Sequence, residues 1–163
     1  MSLGGTPPDV DTARSLIARV DRVVAVRDLV AAVPFLKSRP DSNGKVGAVG
    51  FCWGGAMTNQ LAVNAPGLDA AVPFYGSGPS AEDVAKIKAS LLLHYAGNDT
   101  RINAGVPSYE AALKAAGVPY ELYTYANVEH AFHNDTAGSR YNKEAAELAW
   151  SRTIKFLKKH LAG

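Results

Sequence analysis

A chain of 163 residues with 47% hydrophobic and 20% charged content is sized and composed for one domain around one core, and it is too polar in its runs for a membrane-spanning protein. Seventeen basic residues against fifteen acidic ones leave a formal charge of +2, and the cluster Lys155, Lys158, Lys159 and His160 reads as charge placed at a helix end, which speaks against a nucleic-acid partner. Cys52 is the only cysteine, so no internal disulfide can form and a reducing, cytoplasmic location is expected. The opening "MSLGGTPPDV" lacks the basic stretch and apolar core of a secretory signal. From residue 11 to residue 38, Leu16, Ile17, Val20, Val24, Leu29, Val30, Val33, Phe35 and Leu36 recur at helical spacing, which predicts one broken helix or two successive ones, ended by "SRPDSNG". "KVGAVGF" then reads as a strand, Trp53 to about Asn64 as a helix, and "AAVPFYG" as a second strand. A short helix over Ala81–Lys88, the strand "SLLLHYA", a helix over Pro107–Ala116 closed by Gly117, the strand "YELYTYAN" and a last helix from about Asn142 to Leu161 complete the order. Short buried runs alternating with helices predict an α/β fold, a parallel sheet covered on both faces, in a single domain over residues 1–163.

In such a sheet the loops beyond the carboxyl ends of the strands converge, so they are the first place to look for chemistry. They hold Cys52, then "GSGPS", "GNDTR" and "VEHAFHND". The string "GFCWG" is G-x-C-x-G, the pattern of a nucleophile on a sharp strand-to-helix turn, with Gly50, Gly54 and Gly55 expected to admit the close backbone approach. A thiol at a helix N-terminus is expected to have a lowered pKa, although a lone cysteine is also a common small hydrophobe. Asp99 and His130 follow in the order nucleophile, acid, base, so His130 is the expected proton acceptor and Asp99 its orienting carboxylate. The backbone N–H of Trp53, next after the nucleophile, is an expected oxyanion donor. Tyr75 and Arg101 are candidates to line a substrate pocket, Arg101 toward an anionic group. His133 lacks a nearby third ligand, so no metal site is expected; His94 reads as a hydrogen-bonded core residue, His160 as solvated, and Glu129 is assigned no role.

The segments "GAVGFCWGG", "LLLHYAGNDTRIN" and "VEHAFHND" together resemble the dienelactone hydrolase (carboxymethylenebutenolidase) family of α/β-hydrolases, over the stretch from about Pro7 to the C-terminus. The resemblance implies a three-layer α/β-hydrolase sandwich truncated on its N-terminal side, with a triad carried by Cys52, Asp99 and His130. It implies hydrolysis of an enol-lactone or activated ester through a thioester, on a small-molecule substrate and without metal or organic cofactor. The family's preceding strands, including one of its two oxyanion donors and a glutamate that controls the thiolate, have no counterpart in this sequence. An arginine that family members carry four residues after the histidine is Asn134 here. With that block absent, "KVGAVGF" would be an apolar sheet edge, and a homodimer or higher assembly covering it is expected. Two other readings stay open: a remnant acting as an oligomerisation or binding domain, and a thiol-based redox sensor.

Overall fold

The four apolar runs form four strands of one parallel sheet in the computed structural model, which describes residue 7 and residues 9–162. The opening residues 1–6, read above for a signal, lie outside the described residues. Helix α1 (Val10–Ala18) is capped by Asp9 and buries none of its residues; α2 (Arg22–Lys37) starts where the Asp21 carboxylate accepts the amides of Val23 and Val24. The helical pattern is thus two successive helices. Strand β1 (Gly47–Phe51) turns at Cys52 into α3 (Trp53–Asn64), and β2 (Ala70–Phe74) follows. A single turn α4 (Ala81–Val84), β3 (Ser90–Ala96), a second short turn α5 (Thr100–Asn103), α6 (Val106–Ala116), β4 (Tyr120–Tyr125) and α7 (Lys143–Leu161) complete the chain. Gly117 ends α6 in the left-handed conformation, at φ 65°.

The strands lie in the order β1-β2-β3-β4, all parallel. Alternation along them divides the core in two. Ala71, Leu91, Leu93 and Tyr95 face Leu61, Ala62, Val84 and Leu113 of α3, α4 and α6, whereas Ala70, Val72, Phe74 and Leu92 face Ala145, Ala149 and Phe156 of α7. Both faces of β2 and β3 are therefore buried, which is why their sequences are continuously apolar. β1 is an edge strand among the described residues, and α7 flanks it, since a Cβ on Gly47 would lie 2.8 Å from Leu161 Cδ1.

Two differences from the sequence reading have local causes. The helix expected over Ala81–Lys88 stops at Val84, because Val84 and Ile87 are both drawn into the core and the intervening backbone closes tight turns, Lys86 N to Asp83 O and Ile87 N to Val84 O. The turn α5 was not expected; the Asp99 side chain accepts the Ile102 amide and caps it. No helix among the described residues is long and apolar enough to cross a membrane.

Candidate active site

Three loops at one end of the sheet bring the chemistry together. Cys52, the first residue after β1, sits at φ 54° and ψ −118°, a strained conformation for a side-chain-bearing residue that costs on the order of 1–3 kcal/mol. Its backbone is held on both sides, Cys52 N donating to Phe74 O at 3.1 Å and Ala56 N donating to Cys52 O at 3.1 Å. A Cβ on Gly50 would fall 2.2 Å from Gly54 O, and one on Gly55 2.5 Å from Phe74 O. Gly54, by contrast, has nothing within 4 Å of its would-be Cβ, so the turn requires two of the three glycines expected. Gly76, after β2, is the third close approach: a Cβ there would fall 2.3 Å from the carbonyl carbon of Gly55.

Asp99 follows β3 and is buried, 7% exposed; one carboxylate oxygen caps α5 and the other hydrogen-bonds Nδ1 of His130. His130 lies in the turn after β4, and its Nε2 is 3.0 Å from the Cys52 sulfur. Sulfur, imidazole and carboxylate thus form one continuous line, although 78 residues separate the first two and 31 the last two. With Nδ1–H directed at the carboxylate, Nε2 is left as the acceptor that faces the thiol. The first residue of α3 is Trp53, whose N–H has no partner in the helix's own ladder.

Burial pushes the Cys52 thiol above its ordinary pKa; Arg140 opposes that, Asp99 adds to it, and Arg101 opposes it. The sequence led us to expect a lowered value from the helix N-terminus. The direction found is the opposite, and withdrawal of the half-buried sulfur from water is its largest cause.

Tyr75 and Arg101 occupy different kinds of position. The Tyr75 ring is 1% exposed and packs against His130, with centroids 4.9 Å apart. Arg101 is exposed in α5, two residues beyond Asp99. The Trp53 side chain is half-buried. His133 is wedged between Phe51, Phe74 and Trp150, at 5.2, 5.2 and 5.6 Å between centroids. His94 is a hydrogen-bonded core residue, bonded to Thr153 and Tyr125. His160 is half-buried against Phe156 at 4.4 Å, where full solvation was expected, because the amphipathic α7 lays its last turn on the core.

Sequence reasoning missed three residues. Glu129, assigned no role, accepts the Asn98 side-chain amide at 2.8 Å and so ties the loop that carries Asp99 to the loop that carries His130. Asn98 N also donates to Val128 O at 3.0 Å. Arg140, in the 3-10 turn Gly138–Arg140, is the strongest of the positive charges acting on Cys52. Only the order of these residues near Asp99 and His130 hinted at them.

A model of the dienelactone hydrolase family matches residues 4–161. A protein of Saccharolobus solfataricus, named as a candidate carboxymethylenebutenolidase, is 40% identical over 135 residues, which is 82% of this chain and 51% of that one. The carboxymethylenebutenolidase of Pseudomonas putida is 34% identical over 151 residues, 90% of this chain and 62% of that one. A crystal structure of a candidate dienelactone hydrolase from Klebsiella pneumoniae superposes with a TM-score of 0.81 at 26% identity, covering 94% of this chain and 68% of that one. The chain therefore spans between about half and two thirds of the length of these relatives.

Proposed function

This chain belongs to the dienelactone hydrolase family, and on that footing we propose that it cleaves an enol-lactone or activated ester by acyl transfer to Cys52. The observation that carries the reading is the double engagement of His130, one ring nitrogen on Asp99 and the other 3.0 Å from the sulfur. As Cys52 Sγ attacks the acyl carbon, its proton passes to His130 Nε2, and the buried Asp99 carboxylate stabilises the imidazolium that results. The Trp53 N–H donates to the developing oxyanion. Collapse breaks the acyl–oxygen bond, the proton returns from His130 to the departing oxygen, and a thioester remains on Cys52. Water then attacks the thioester with His130 as base, releasing the carboxylic acid and the thiol. No cofactor enters this sequence of steps.

We assign the exposed Arg101 and the half-buried Trp53 to substrate binding, Arg101 to an anionic substituent. We assign the cytoplasm as location from the single cysteine, which a reducing compartment keeps as a nucleophile. We further propose a homodimer, supported by the unpaired β1 edge among the described residues.

The test is turnover of p-nitrophenyl acetate and of a dienelactone by the purified chain, with Cys52→Ala and His130→Ala as controls. Both substitutions should lower the rate by at least about a thousandfold. Unchanged turnover in either variant, or a folded wild-type chain without turnover, overturns the enzyme reading; the second result would favour a binding or assembly role.

A further inference from the structure

We propose that Tyr75 is the positioning residue of the proton relay: its ring holds the His130 imidazole in the orientation that joins Asp99 to Cys52. The proposal rests on the acyl-transfer reading above, yet its observations do not involve a substrate. Two hydrogen bonds at opposite nitrogens leave the imidazole free to rock about the line that joins them, and only a contact against the ring itself removes that freedom. Tyr75 makes such a contact, with centroids 4.9 Å apart and planes inclined by 57°. The same ring packs edge-on against Phe132 at 5.4 Å, so it touches both the imidazole and the turn that carries it. That turn needs support, because Ala131, next to His130, sits at φ 69°.

The backbone at Tyr75 is itself strained, at φ 36°, a conformation that side-chain-bearing residues rarely adopt. Tyr75 N still donates to His94 O at 2.7 Å, so the main chain stays with the sheet at the residue where its side chain turns toward His130. Strain at a non-glycine residue persists when surrounding contacts over-determine it, and here those contacts are the imidazole, Phe132, Phe74 at 6.0 Å and Phe51 at 6.3 Å. With 1% of its surface exposed, Tyr75 offers little to a substrate, which separates this role from that of a pocket wall.

The experiment compares Tyr75→Leu, Tyr75→Met and Tyr75→Phe with wild type, after melting curves establish that each is folded. The readouts are kcat and KM for p-nitrophenyl acetate and the NMR signal of the His130 Nδ1 proton. Loss of the ring in the Leu and Met variants should lower kcat about tenfold or more, leave KM within about twofold and broaden the Nδ1 proton signal; the Phe variant, which keeps the ring, should return both to within about threefold of wild type. An unchanged signal and kcat in the Leu and Met variants, a loss confined to KM, or a Phe variant as impaired as Leu would overturn the proposal. So would a wild-type imidazole with no protected Nδ1 proton. A wild-type chain that shows the protected proton but no turnover sinks the hydrolase reading alone, and the NMR comparison still decides the role of Tyr75.

Discussion

Cys52 carries two opposing features, a strained turn between strand and helix and enough burial to push its thiol pKa up. Because the charged form is the one that burial disfavours, thiolate accumulates only as pH rises beyond the ordinary range for a cysteine. Alkylation of Cys52 by iodoacetamide should therefore be slow near pH 7 and climb continuously past about pH 9, with no plateau at neutral pH. A plateau at neutral pH would show a preformed thiolate–imidazolium pair in its place. Arg140→Gln should shift that climb to higher pH, since the guanidinium is the largest of the influences that favour the thiolate. On the proposed mechanism the 3.0 Å from Cys52 Sγ to His130 Nε2 keeps the proton transfer short, so attack on a bound acyl group would not require a standing thiolate.

At the scale of elements, two strand ends lean on each other: β1 turns into α3 while the residues after β2 pass directly beneath that helix. The glycines separate into those that permit this and one that does not. Gly76→Ala would drive a methyl into the Gly55 backbone and should lower stability by roughly 2 kcal/mol or more, whereas Gly54→Ala meets open space and should raise it by up to about 1 kcal/mol. Urea denaturation of the two variants checks both signs. α7 is fastened to the sheet by a buried chain of hydrogen bonds. The Thr153 hydroxyl donates to Ala149 O, so it accepts from His94 Nε2–H; Nδ1 is then the acceptor for the Tyr125 hydroxyl, which accepts in turn from Arg152. Burial, helped by Arg152 and His133, holds His94 neutral with its pKa pushed down to about 3, against 6.5 in an unperturbed chain. The unfolded state therefore takes up the proton first as pH falls. This contribution to stability is complete above about pH 6.5 and drains away toward pH 3, on the order of a few kcal/mol in all. His94→Asn should be less stable at pH 7.5 and show a flatter decline on acidification, measured as unfolding free energy at both ends of that range.

For the whole molecule, the sheet has four strands with β1 unpaired on its outer side among the described residues. Phe51 and Trp150 stand exposed there, joined through His133, and form an apolar flank to the open backbone groups of the edge. Strand edges of this kind pair unless they are charged or covered. Sedimentation at about 10 micromolar should accordingly find a dimer, and Phe51→Lys should shift it to monomer by placing a charge on the edge. A monomeric wild type would overturn the dimer.

The sequence alone determined the alternation of the four strands with the longer helices, and it singled out Cys52, Asp99 and His130 as residues that follow strand ends. These are local properties: buried strands are short apolar runs, and "GFCWGG", "GND" and "VEH" each sit where a strand has just stopped. Tertiary structure decided whatever depends on atoms distant in the chain. That the thiol is pushed up and not down follows from packing around the sulfur, that Gly76 matters and Gly54 does not follows from which backbone passes beneath α3, and that Tyr75 touches His130 follows from two strained loops meeting. Glu129 and Asn98 became partners across 31 residues only because β3 and β4 are neighbours in the sheet. Desolvation, close contact and hydrogen bonding act over a few ångströms of space, and a linear pattern records adjacency along the chain but not adjacency across it.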